Sequence, residues 1–228
     1  MNKRIIVAID GPAGAGKSTL AKRLAKRLGC LYIDTGAMYR AVALWAARTG
    51  TPITDHARLE RLAVEAEIAL GQDGLVTLNG EDVSAAIRAP EMSESASVIS
   101  GVPGVRRALV AKQQEMGRET SAVMEGRDIG TVVFPEAAVK IYLDATVDVR
   151  AWRRVRDLAA RGGVPVFEEV RADIVKRDLR DSTRPDSPLR QAPDAILLDS
   201  SELDELQTEE AMLRIVRERT SNGKEILS

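Results

Sequence analysis

The chain alternates between short unbroken apolar runs and longer stretches whose apolar positions recur every three or four residues. Residues 4–10, RIIVAID, form a continuous branched run, the pattern of a strand covered on both faces. Residues 17–29, KSTLAKRLAKRLG, place Leu20, Leu24 and Leu28 on one helical face with basic residues opposite, and Gly29 closes the helix. LYIDT at 31–35 predicts a second strand. GAMYRAVALWAARTG at 36–50 predicts a helix, apolar along much of its length and stopped by Gly50 and Pro52. SAVME at 121–125, VKIYLDA at 139–145 and AILLDS at 195–200 predict three further strands. Strands alternating with helices predict an α/β fold on a parallel sheet with right-handed crossovers.

Two regions break this rhythm. Residues 68–84, IALGQDGLVTLNGEDVS, carry Asp73-Gly74 and Asn79-Gly80 between short apolar runs, which predicts a small antiparallel excursion. Residues 146–191 are arginine-rich and helical in pattern, with GGVP at 162–165 as a hinge point. The sequence contains no internal repeat, low-complexity tract or long linker, and its last eight residues, SNGKEILS, carry no readable function.

Composition narrows the class. The 228 residues are 44% hydrophobic and 29% charged, as expected of one globular domain with insertions. No apolar run reaches the roughly 20 residues that cross a bilayer, and the basic-then-apolar N-terminus runs into glycines without a cleavage site. The single cysteine, Cys30, permits no intrachain disulfide and no cysteine metal cluster. It reads as a packed thiol in a cytoplasmic protein. A formal net charge of -1 and 3% aromatics disfavour a nucleic-acid binder, so anion binding must come from local arginine clusters.

The most specific signal is GPAGAGKS at 11–18, a full match to G-x-x-x-x-G-K-[ST] between a predicted strand and helix. Its residues Gly11, Pro12, Ala13, Gly14, Ala15, Gly16, Lys17 and Ser18, with Thr19 behind them, are candidates to hold the phosphates of a nucleotide. Lys17 is suited to the β- and γ-phosphates, and the Ser18 hydroxyl to Mg²⁺. The guanine-reading [NT]-K-x-D is missing, which favours ATP. The loop identifies a donor and leaves the acceptor open.

Three charged clusters are candidates for the acceptor. In DTGAMYR at 34–40, Thr35 can cap the helix, Tyr39 offers a ring and a hydroxyl, and Arg40 offers a cation near the carboxyl edge of the sheet. In EGRDIGTVVFP at 125–135, Arg127 can clamp a phosphate and Asp128 can accept from an amino group or sugar hydroxyl, while Glu125 has no assigned part. In KRDLRDSTR at 176–184, Arg177, Asp181 and Arg184 share one helical face. Upstream, Arg150, Arg153 and Arg154 share another, which either closes over a transferring phosphoryl group or is simply solvated.

Together with the phosphate loop, these segments give the chain a resemblance to the nucleoside monophosphate kinases, and among them to the bacterial cytidylate kinases. The resemblance runs nearly end to end, through 9–19, 33–44, VPGVRRAL at 102–109, 125–135, 139–145 and 176–184, with EGRDIGTVVFP the most specific block. It implies an α/β P-loop kinase fold, a five-stranded parallel sheet flanked by helices. Residues 1–228 would then form one kinase domain. Within it, 36–118 would bind the monophosphate, with a small β insertion near 68–90, and 147–183 would form a short helical lid.

The same resemblance implies phosphoryl transfer from ATP, with Mg²⁺, to CMP and dCMP. Thr35, Tyr39 and Arg40 would line the CMP pocket, and the family often has serine where this chain has Thr35. Ser97 and Arg106 match positions near the cytosine. Arg127 would meet the CMP phosphate, Asp128 the cytosine amino group, and Arg177 and Asp181 the ribose, with Arg184 beside them. Arg153 and Arg154 fall in the lid, and with Lys17 and Arg127 make up the implied catalytic set. Some members carry glycine in place of Ser18, which leaves water as the alternative metal ligand. Family precedent implies a monomer without membrane or nucleic-acid partners. Another small P-loop kinase, acting on UMP or a hydroxyl-bearing metabolite, and a nucleotide switch are the competing readings. The one histidine, His56, lies in the polar stretch TDHARLE and reads as surface structure.

Overall fold

The computed structural model describes residues 4–71 and 74–220. The tail SNGKEILS and Asp73 of the Asp73-Gly74 turn lie outside the described residues. The chain divides into two compact units, Met1–Tyr32 with Thr120–Ser228, and Ile33–Glu119.

The first unit holds all of a five-stranded parallel sheet except the last two residues of one edge strand. Its strands are β1 (Ile6–Asp10), β2 (Leu31–Asp34), β6 (Ala122–Gly126), β7 (Val139–Asp144) and β8 (Ile196–Asp199), ordered β2-β6-β1-β7-β8. β1 pairs in parallel with both β6 and β7, which is why its run of branched residues is buried on both faces. The register sets Asp10 opposite Gly126, so Gly11 and Arg127 leave neighbouring strands at the same carboxyl edge. Ligands of open α/β sheets bind at that edge, where the chain winds away in opposite directions. Helix α1 (Lys17–Leu28) lays Leu20, Leu24 and Leu28 against Val7, Ile9 and Val123, as its leucine spacing predicts. Gly29 ends α1 in the left-handed conformation, and half-buried Cys30 packs against the same core. Met212, Leu213 and Val216 of α8 (Glu205–Arg219), whose start is fixed by an Asp204–Gln207 capping box, complete that core.

The arginine-rich stretch forms α6 (Val147–Ala159) and α7 (Phe167–Thr183), which are separated around Gly162 as the GGVP segment predicts. The two helices share a small core of Ala151, Val170 and Ile174, and Trp152 stacks on Phe167 at 4.6 Å between ring centroids.

The second unit packs α2 (Thr35–Arg48), α3 (His56–Glu65), α4 (Pro90–Ile99) and α5 (Pro103–Glu119) around Met38, Val42, Leu59, Ile99 and Leu109. The predicted excursion is a three-stranded antiparallel sheet, β3 (Ile68–Leu70), β4 (Val76–Leu78) and β5 (Glu81–Asp82). Asn79 and Gly80 both take positive φ, 51° and 82°, the two-residue turn that matches strand twist. One local expectation fails. Asp34, not Thr35, caps α2, its carboxylate accepting from Ala37 N at 2.9 Å, and Thr35 is the first helical residue. A carboxylate is the better match for the helix dipole, and its choice moves the helix start by one position. Among the described residues, no helix is long and apolar enough to cross a membrane.

Candidate active site

The phosphate loop is shaped by close backbone packing. Gly11 has φ 150°, and a Cβ there would fall 2.0 Å from the carbonyl oxygen of Leu143, so no other residue fits. Gly16 precedes α1 and has no side chain to compete for the N–H groups of its first turn. Those groups and the positive end of the helix make an anion site. Lys17 is buried and donates to the Pro12 carbonyl at 2.7 Å, which curls its side chain over the loop. Burial, then the positive charge of Arg127, push its ammonium down to about 7, against the opposing pull of Glu125.

Glu125, at the end of β6, gains a part that the sequence did not reveal. It accepts from the Ser18 hydroxyl and from the Tyr32 hydroxyl at 3.2 Å. A buried carboxylate and a hydroxyl next to a phosphate loop are hard oxygen donors of the kind that Mg²⁺ selects.

The acceptor block that follows β6 is held by ionic contacts. Arg127 donates from Nε to Asp181 Oδ2 at 2.8 Å, and Arg177 lies 4.0 Å from the same oxygen. Arg184 Nη2 lies 3.9 Å from Asp128 Oδ1 and its Nε donates to the Ser187 carbonyl at 2.7 Å. Burial alone would raise the Asp181 carboxyl, but Arg127, Arg177 and Arg184 outweigh it and hold Asp181 below the usual carboxylate range. Arg127, Asp128, Arg177, Asp181 and Arg184, drawn from two separate sequence clusters, are thus brought together in the first unit.

Asp10 is a site residue that the sequence reading missed. It accepts from Ile129 N and Gly130 N, both at 2.8 Å, and so anchors the chain just after Asp128. Burial is the main cause that raises its carboxyl to about 6, with Asp128 adding and the two N–H groups opposing. This anchoring gives IGTVV, rich in β-branched residues, the form of a π-helical turn, Ile129–Val133.

The arginine face of α6 is neither solvated nor poised over an open site as a whole. Arg150 is buried and donates to the carbonyls of Ala145 and Ala13, both at 2.9 Å. Arg153 donates to the Ala15 carbonyl at 3.3 Å, to Ser200 Oγ at 3.0 Å and to the Ser200 carbonyl at 2.7 Å. Guanidinium groups drawn out of water need acceptors, and the Ala13 and Ala15 carbonyls of the phosphate loop supply one to each. Arg153 therefore braces the loop in this structure. Arg154 is half-buried on the same helix.

In the second unit, Arg40 pairs with Asp34 at 2.8 Å, tying it to the cap of its own helix. Arg106 is buried, donates to the Ser100 carbonyl at 3.2 Å and stands 5.7 Å from the Tyr39 ring centroid. Ser97, one turn before that acceptor, is buried and accepts at its carbonyl from the Ser100 hydroxyl at 2.8 Å. Thr35 is buried beside the cap. Exposed His56 starts α3, behind its cap Asp55.

A family model of cytidylate kinase matches residues 7–218, which takes in every one of these groups. The chain belongs to the cytidylate kinase family. It is 59% identical over 225 residues to a cytidylate kinase of Solibacter usitatus, covering 98% of this chain and 97% of that one. It is 50% identical over 222 residues to a cytidylate kinase of Citrifermentans bemidjiense, covering 96% and 95%. Among solved structures, shikimate kinase from Bacteroides thetaiotaomicron shares the fold, with a TM-score of 0.50, 16% identity and coverage of 94% and 97%. As a cytidylate kinase family member the chain is a nucleoside monophosphate kinase, and its phosphate loop and sheet are those of the P-loop kinases.

Proposed function

We propose that the protein transfers the γ-phosphoryl group of ATP to a phosphate oxygen of CMP or dCMP, releasing ADP and CDP or dCDP. The register of β1 against β6 carries this reading. It brings the donor loop and Arg127 out at one edge of one sheet, side by side. Residues 11–19 hold the triphosphate, with Lys17 drawing charge from the β- and γ-phosphates. The Ser18 hydroxyl and the Glu125 carboxylate would hold Mg²⁺, which would supply charge neutralisation at the phosphates when bound.

The nucleophile is a phosphate oxygen already ionised at neutral pH, so positioning and electrostatics replace a general base. Arg127 takes the acceptor phosphate. Asp128 accepts from the cytosine amino group. Arg177 and Arg184 work beside them, and Asp181 orients the arginines as well as serving the ribose. Arg153 and Arg154 are the lid arginines assigned to the transferring group, and Arg153 also braces the loop. Thr35, Tyr39, Arg40, Ser97 and Arg106 of the second unit contribute to CMP binding. We further place the enzyme in the cytoplasm, in keeping with a single cysteine that can form no intrachain disulfide, and, on family precedent, as a monomer.

ADP release measured across CMP, dCMP, UMP, AMP and shikimate tests the assignment. Turnover highest with CMP and dCMP is the expected result. Preference for UMP or shikimate, or slow hydrolysis indifferent to every acceptor, contradicts it.

A further inference from the structure

Two residues of α6 and α7 grip the backbone of the phosphate loop at Ala13. The Ala13 N–H donates to Asp178 Oδ1 at 3.2 Å, and its carbonyl accepts from Arg150 Nη1 at 2.9 Å. Arg150 Nη1 also pairs with Asp178 Oδ2, so guanidinium and carboxylate close a ring around one residue of the loop. The approach is written into the loop's composition. Gly14, at φ 78°, lies so close beneath α6 that a Cβ would meet the Arg150 carbonyl oxygen at 3.0 Å and Arg150 Cβ at 3.1 Å.

Asp178 is an odd residue to find there. Its carboxylate occupies an N–H of an anion-binding loop and brings negative charge toward a site for polyphosphate, which weakens ATP binding except as far as Arg150 offsets it. Its position along α7 explains why it is useful. Asp178 lies in the same helical turn as Arg177 and Asp181, and Asp181 holds Arg127 at 2.8 Å. A single turn of α7 therefore touches the donor loop through Asp178 and the acceptor arginine through Asp181. An α-helix transmits displacement along one turn nearly rigidly, because its hydrogen bonds tie each residue to the next turn. Drawing Arg127 and Arg177 onto a phosphate shifts the same turn that holds Ala13.

We propose that Asp178, paired with Arg150, is a positioning residue that couples the two substrates, so that an acceptor monophosphate bound at the α7 arginines reshapes the donor loop through Ala13. The proposal rests on the acceptor role given above to Arg127 and Arg177. Linkage then requires the effect to be reciprocal, CMP changing the affinity for ATP by the same factor as ATP changes that for CMP.

The test is calorimetric titration of the wild-type protein and Asp178→Asn with AMP-PNP, with and without saturating CMP. Asparagine keeps an oxygen for the Ala13 N–H and removes the charge that Arg150 meets. In the wild type, CMP is expected to change the AMP-PNP Kd by at least about fivefold. In Asp178→Asn the ratio is expected to fall to within about twofold of one, with CMP still bound. A wild-type ratio of one, or an unchanged ratio in a variant with wild-type melting, overturns the coupling. Should the variant not fold, amide exchange of the wild type decides: AMP-PNP alone is expected to slow exchange in residues 177–181, and no change there overturns the proposal. Turnover with CMP in the same wild-type samples separates the two readings. Its loss overturns both, whereas full turnover with a ratio of one removes only the coupling.

Discussion

Arg127–Asp181 and Arg48–Glu81 are the same chemical pair at nearly the same distance, 2.8 Å in the first and 2.7 and 2.9 Å in the second. By geometry the second is the better bond, since Arg48 engages both carboxylate oxygens. Their settings differ. The side chains of Arg127 and Asp181 are 18% and 4% exposed, those of Arg48 and Glu81 42% and 60%. Water and salt screen the exposed pair, and two long side chains lose freedom to form it. The buried pair sits in a medium where removing one partner strands the other, at a cost of about 3–5 kcal/mol. A charge kept under those conditions, at the edge of the sheet where α/β ligands bind, is what supports the acceptor role proposed for Arg127. The comparison teaches that the environment of an ion pair, more than its length, sets what its loss costs.

The sharpest way to break the comparison is to truncate each arginine. Arg127→Ala is expected to lower kcat/KM for CMP by about 10²–10³-fold, in line with loss of one group aimed at transition-state charge. Steady-state ADP release measures it, and a loss under tenfold places Arg127 outside the transfer step. Asp128→Ala is expected to bring the CMP-to-UMP ratio of kcat/KM down by about 10–100-fold, because a buried carboxylate no longer goes unpaired when uracil binds. An unchanged ratio assigns base selection to other residues.

A subtler effect concerns Lys17. Its ammonium is depressed to about 7, so above that pH much of it is neutral in the unliganded protein. Bound polyphosphate favours the charged form and raises the pKa again. ATP binding at pH 8 is therefore expected to take up close to one proton at this site, and binding at pH 6 almost none. Calorimetry in two buffers of different ionisation enthalpy reads the difference, and equal uptake at both pH values contradicts it. At the other end of the scale, Arg48→Ala is expected to leave kcat/KM and Tm within the scatter of replicates. A clear fall in either would show that the exposed pair matters more than its setting allows.

How far the site was legible follows from the range of the interactions. The phosphate loop could be read because its constraints are local: a glycine pressed on a carbonyl, a lysine and a hydroxyl at fixed spacing. The Asn79-Gly80 turn was legible for the same reason. Asp34 and Thr35 are neighbours that can both cap a helix, so the sequence could place the cap only to within one residue. Asp10 and Asp178 were invisible because their partners, Gly130 and Ala13, lie 120 and 165 residues away. Asp178 also falls off the face defined by Arg177, Asp181 and Arg184, and periodicity drew attention to that face alone. For Arg150 and Arg153, helical spacing grouped the charges correctly. It held no information on whether they meet water, a ligand or backbone carbonyls, and the loop carbonyls of Ala13 and Ala15 turned out to claim them.

The central claim is that the EGRD block recognises the acceptor while residues 11–19 hold the donor. Steady-state KM values for CMP and ATP in Asp128→Ala test it most directly. A rise in the CMP KM of about 10-fold or more, with the ATP KM within about twofold of wild type, is the predicted result. Equal rises in both would contradict the claim, because Asp128 would then serve the nucleotide sites together and not the acceptor alone.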